Sequence, residues 1–136
     1  MDLNINSPPA YYTGVYGIDD EIYWMCRELA QYVKSKEYSK CIKTVGIVPI
    51  IASEGEIKKG LWKESNHVSL KCGFASVSLQ IDYKEYVEAD INKKKSLIID
   101  NILKSLKTIK RRAGIDYRMF EDDIRLFCIN NHIVLK

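Results

Sequence analysis

Between Val68 and Asp82 the apolar residues keep a two-residue period but change sides. Val68, Leu70, Cys72 and Phe74 alternate with Ser69, Lys71 and Gly73; then Val77, Leu79 and Ile81 alternate with Ser78, Gln80 and Asp82. Successive side chains of a strand point to opposite faces. One straight strand carrying both sets would turn half of its apolar side chains to water. The pattern predicts a tight turn or a bulge near 73–76, with a hairpin as the preferred reading. Half-polar strands of this kind suit an antiparallel sheet with one wet face.

A third strand is predicted over 40–51, where Ile42, Thr44, Val45, Ile47, Val48, Ile50 and Ile51 raise the β-branched content. Pro49 cannot donate to a ladder, so it belongs at that strand's end or on an edge. The polar stretch 53–60, with Gly55 and Gly60, reads as a loop.

Helical periodicity flanks these strands. Ile22, Met25, Cys26, Leu29 and Val33 make one apolar face of a helix over about 19–37. Asp82 with Glu85 resembles a capping box, predicting a short helix over 83–88. A long basic helix follows over about 91–112, with Ile98, Ile102, Leu106 and Ile109 as its buried stripe and Gly114 closing it. Asp116 caps a C-terminal helix bearing Met119, Phe120, Ile124, Phe127 and Cys128 on one side. Residues 132–135 add a short strand, and 1–17, with Pro8, Pro9, Gly14 and Gly17, read as an irregular leader whose tyrosines pack back on the body. The expected architecture is α+β: a small antiparallel sheet of about three strands packed against the N-terminal, the long basic and the C-terminal helices. Residues 1–136 are read as a single domain, since a chain this short rarely splits into two cores.

Charge and composition narrow the function classes. Hydrophobic residues are 46% and charged residues 29%, which argues against disorder. No uncharged apolar stretch approaches the ~20 residues needed to span a bilayer, and no signal-peptide pattern opens the chain, so a cytoplasmic protein is expected. The net charge is only +3, but 93–112 carries +7 and leaves −4 to the rest. That helix could track phosphates, although no aromatic falls within it for base stacking. The four cysteines, Cys26, Cys41, Cys72 and Cys128, form no C-x-x-C pair and read as buried free thiols. With only His67 and His132 beside them, no metal-ligand set is expected.

No catalytic motif stands out. The chain lacks a nucleophile–His–acid pattern, a phosphate-binding glycine loop and an H-E-x-x-H pair. The candidate partner-binding residues are Trp62, Lys63 and Glu64, with the carboxylates Glu85 and Glu88 and the run Glu121, Asp122 and Asp123. Trp62 can be a binding hot spot or a core anchor. The carboxylates can be caps and solvated faces, or an acidic surface meeting a basic partner.

Four segments in order carry a resemblance. They are Ile22-Tyr23-Trp24-Met25-Cys26-Arg27-Glu28-Leu29, Lys43-Thr44-Val45-Gly46-Ile47-Val48-Pro49, Gly60-Leu61-Trp62-Lys63-Glu64, and Ile81-Asp82-Tyr83 before the lysine-rich helix. Together, over about 19–124, they resemble the immunity protein 44 family, found beside bacterial polymorphic or contact-dependent toxins. The resemblance implies an α+β, non-enzymatic antidote without a cofactor, which binds the C-terminal domain of its cognate toxin and blocks its active site or an essential surface. It also implies that Gly60, Trp62 and Lys63 match a family segment, with no catalytic residue to carry over. Many such toxins are nucleases, so an acidic patch would imitate their substrate. The competing reading is a nucleic-acid-associated module using helix 93–112.

Overall fold

The computed structural model describes residues 1–6 and 19–135. Among these residues nine elements follow one another: β1 (Asp2–Ile5), α1 (Asp20–Val33), β2 (Thr44–Ala52), α2 (Glu54–Lys58), β3 (Ser65–Ser69), β4 (Phe74–Asp82), α3 (Tyr83–Glu88), α4 (Ile91–Ala113) and α5 (Tyr117–Asn130). The sheet order is β1-β2-β4-β3. Helices and sheet share one buried cluster, in which Ile22, Leu29, Ile47, Ile98, Ile109 and Phe120 are almost wholly enclosed. Each such side chain contributes about 1.5–3 kcal/mol relative to leaving it in water.

The mixed α and β class agrees with expectation, and the hairpin is present. β3 and β4 pair antiparallel from Ser69↔Phe74 to Ser65↔Ser78. The turn falls slightly earlier than expected, over 70–73, and ends on Gly73 at φ +64°. A Cβ there would lie 3.2 Å from the Cys41 carbonyl oxygen, so both conformation and space call for glycine.

Two corrections concern the sheet. Among the described residues it has four strands, because β1 forms within the stretch expected to be irregular; Leu3 and Ile5 alternate with Asp2, Asn4 and Asn6, a short period-two run preceding the prolines. The remainder of that leader, with Tyr11, Tyr12 and Tyr16, lies outside the described residues. The pairing is also mostly parallel: β1 with β2, and β2 with β4. The cause is connectivity. A helix between β1 and β2 carries the chain back over the sheet, so the next strand enters in the same direction. The half-polar pattern suggested antiparallel pairing because parallel sheets are usually covered on both faces. Here Val45, Ile47, Ala75, Val77 and Ile81 are buried beneath the helices, while Thr44, Val48, Ser76, Ser78 and Gln80 on the other face are only partly covered.

Pro49 lies inside β2, a strand flanked by β1 and β4, and not at a strand end or on an edge strand as expected; what tolerates it is the direction of its missing N–H. Asp2 N–H donates to Lys43 O and Asn6 N–H to Ile47 O, so odd-numbered residues of this stretch turn their main chain toward β1. The described β1 register ends at Ile47, leaving Pro49's missing donor beyond it.

The helix ends show local chemistry. Asp82, Asp90 and Asp116 accept from the backbone N–H of Glu85, Lys93 and Met119 at 2.8–3.1 Å. Gly114 closes α4 in the left-handed region at φ +60°. α1 stops at Val33 rather than near 37; the Met1 ammonium donates to the carbonyls of Val33, Lys34 and Lys36 and pins β1 to that end. The loop expected over 53–60 contains α2, where the Glu56 carboxylate accepts from Ser53 N–H at 3.2 Å. The short strand expected over 132–135 is absent from the described residues. Ile133 N–H instead closes α5 by donating to Cys128 O at 2.8 Å.

Candidate functional site

The residues singled out in the sequence do not form one site. Glu64 is exposed, but its Oε1 accepts from Gln80 N–H at 2.9 Å and continues the ladder where β3 has not yet begun. Trp62 is half-buried, its indole nitrogen shielded from water, and Lys63 beside it is exposed. Asp123 is held by the Tyr38 hydroxyl at 2.7 Å and by Lys36 at 3.2 Å, tying α5 to the segment after α1. Glu121 accepts from the Tyr117 hydroxyl at 3.1 Å and faces Arg125 at 3.8 Å. Asp122, between them, is exposed. Glu85 and Glu88 are exposed on α3, against the N-terminal end of α4, whereas the 121–123 run lies toward its other end.

These contacts set the titration of their partners. Burial first, and then the hydrogen bond to Asp123, raises the Tyr38 hydroxyl well above the ordinary phenol range. Burial and then Glu121 push Tyr117 up to about 12. Two of the four cysteines, Cys41 and Cys72, are exposed, contrary to expectation, because they sit in the turns before β2 and β4. The other two are buried, which pushes Cys26 up to about 12 and Cys128 up to about 11. These raised thiols are poor nucleophiles at neutral pH.

The basic helix is partly neutralised within the molecule. Lys94 reaches Asp19 at 2.9 Å and lies 5.1 Å from the Tyr86 ring centre, joining α1, α3 and α4. Lys95 reaches Glu21 at 3.3 Å. The cations still exposed are in its C-terminal half, Lys104, Lys107, Lys110, Arg111 and Arg112, and of these Arg112 bonds the Asn66 side chain on β3. This arrangement weighs against a phosphate-tracking role for the whole of 93–112.

A different surface has the composition of a binding site. On α1, Trp24 is 59% and Tyr23 43% exposed. Their rings meet edge to face at 5.5 Å, and the Arg27 guanidinium lies 5.6 Å from the Trp24 ring centre and 5.9 Å from that of Tyr23. Arg27 also donates to the Tyr23 hydroxyl at 3.2 Å. Trp, Tyr and Arg are the residues most enriched in interface hot spots. Sequence reasoning missed this cluster, although its signal is local: Tyr23, Trp24 and Arg27 all fall outside the apolar stripe Ile22, Met25, Cys26, Leu29, Val33.

The cluster borders a groove of about 520 Å³ between α1 and the outer edge of β1. Tyr23, Arg27, Ala30 and Lys34, at helical positions i, i+4, i+7 and i+11, line one side, and the β1 backbone forms the other. Among the described residues no three metal-ligating side chains converge, and no helix is long and apolar enough to cross a membrane.

Fold and surface together define a small protein of helices on one face of a sheet, with its most distinctive chemistry on the outside of its first helix. The chain belongs to the immunity protein 44 family, which matches it over residues 1–130. No curated protein and no solved structure matches the chain.

Proposed function

We propose that this protein is the cytoplasmic antidote of a bacterial toxin, binding the toxin's C-terminal domain and covering its active site or an essential surface without chemistry of its own. Family membership supports an immunity role. The observation that carries the binding mode is the exposed Tyr23–Trp24–Arg27 cluster. Leaving an indole more than half in water forgoes apolar burial, and burying it against a partner recovers that contribution. Glu85 and Glu88 lie on the neighbouring helix, joined to α1 through Lys94. They suit a toxin whose active site is basic, as a nuclease's is.

The test is co-expression with the toxin domain encoded beside this gene, together with affinity measurement on the purified pair. The intact protein is expected to restore growth. Trp24→Ala is expected to weaken binding about 30-fold or more, the loss that truncating a hot spot of 2 kcal/mol or more produces. Continued toxicity in the presence of the folded protein overturns the reading.

A further inference from the structure

Among the described residues, β1 is the outermost strand of the sheet on the side of the groove beside Arg27. Main-chain groups of alternate residues in a strand face opposite sides. Asp2 N–H donates to Lys43 O at 2.8 Å and Asn6 N–H to Ile47 O at 2.9 Å, so even-numbered residues of β1 face β2. Leu3 and Ile5 therefore turn their N–H and C=O groups outward, and no described strand pairs with them. An open edge is a ready template for another strand. Above it runs α1, whose Ala30 leaves room where a larger side chain would close the groove. From Asp2 to Asn6 the edge spans roughly 13 Å, four rises of a strand, enough for a strand of about five residues.

We propose that the toxin partner lays an extended acidic segment into this groove as a fifth strand beside β1, with carboxylates beneath α1 meeting Arg27 and Lys34. The inference rests on the immunity reading and deepens it. Both cations are exposed along the groove, and among the described residues Asp2 is the one acid that lines it. Main-chain hydrogen bonds to Leu3 and Ile5 would give affinity, and alternate side chains beneath α1 would give specificity, as in strand addition generally. A second copy of this chain would bring Arg27 and Lys34 against their own equivalents, which like-charge repulsion disfavours. A nucleic acid would meet the cations but leave the peptide groups of the edge unmatched.

The experiment is amide hydrogen exchange on the free protein and on its complex with the toxin domain encoded beside the gene. The Leu3 and Ile5 amides are expected to exchange at least tenfold more slowly in the complex. Three variants accompany the measurement: Arg27→Glu with Lys34→Glu, Ala30→Leu, which fills the groove, and Ile5→Pro, which removes an outward donor while sparing the bonds to β2. Each is expected to weaken affinity at least tenfold, with circular dichroism checking the fold. If the complex forms while Leu3 and Ile5 exchange at the free rate and the Arg27/Lys34 double variant binds normally, the added strand is overturned and the immunity reading stands. If the wild-type protein neither binds the toxin nor protects cells, the immunity reading falls and takes this inference with it. Protection of the same amides by a 20-mer of thymidylate, or by self-association without toxin, assigns the groove to nucleic acid or to a dimer and overturns the proposal.

Discussion

Asp123 shows how a residue that resembles a binding acid becomes a structural one. Its carboxylate accepts from Tyr38 and pairs with Lys36, while Tyr38 is 2% exposed and packs edge to face on Phe120 at 5.2 Å. Asp123→Ala strands the buried phenol hydroxyl, so it is expected to cost about 1–3 kcal/mol, read as a lower urea midpoint. Asp122→Ala, one position along and exposed, is expected to change stability by no more than ~0.5 kcal/mol. Cys26 gives a second prediction at this scale. Its folded pKa is raised from 9.0 to about 12 by burial, so above pH 9 the unfolded chain releases the thiol proton before the folded one does. Stability is thus complete below pH 9 and falls as pH rises toward 12, by up to about 1.4 kcal/mol per pH unit from this group. Urea titrations from pH 8 to 11 are expected to show that fall, and Cys26→Val to lessen it while the share due to Cys128, Tyr38 and Tyr117 remains. At this scale the sequence was partly legible. The Asp82 cap and the stripe through Cys26 follow from spacing alone. The partners of Asp123, at positions 36 and 38, are set by how α1 and α5 meet, which no local pattern states.

Among the elements, the helices were the most readable because their signals are local: a cap, a stripe, a stop. α3, α4 and α5 begin directly after Asp82, Asp90 and Asp116, and α4 ends at Gly114. The strands were less so. β1 is four residues long, and its two apolar positions are too few to outweigh nearby prolines. The parallel pairing of β1 with β2 is set by the path of the chain through α1, and that of β2 with β4 by its path through α2 and β3, whereas side-chain alternation reports only which face is wet. Glycines at element ends give a graded prediction. Gly114 and Gly73 both lie at positive φ, but a Cβ on Gly114 meets nothing within 4 Å, whereas one on Gly73 meets the Cys41 carbonyl at 3.2 Å. Gly114→Ala is expected to cost about 1 kcal/mol from backbone strain alone. Gly73→Ala adds a backbone contact to that strain and is expected to cost more. Denaturant midpoints of the two variants check the order, and equal losses would show that the turn before β4 shifts freely.

Across the whole molecule, charge is distributed so that one end differs from the other. At the N-terminal ends of α1 and α4, Lys94 and Lys95 are taken up by Asp19 and Glu21, and Asp20, Glu85 and Glu88 are exposed there. At the other end of α4, Lys104, Lys107 and Arg111 remain in water. Such polarity orients a charged partner before docking, and its effect falls on the association rate more than on the lifetime of the complex. If a basic toxin domain approaches the end bearing Glu85 and Glu88, the double change Glu85→Lys, Glu88→Lys is expected to slow association about tenfold at low salt and to leave dissociation nearly unchanged. The difference should shrink toward zero near 0.5 M salt, where charges separated by more than ~5 Å are screened. Stopped-flow association at both salt concentrations separates steering from direct contact. Removing a group that touches the toxin speeds dissociation, and that effect persists in high salt. The same measurement divides the two surfaces. Arg27 and Lys34 act after docking and should show themselves in dissociation, so the two double variants are expected to differ in which rate constant they change.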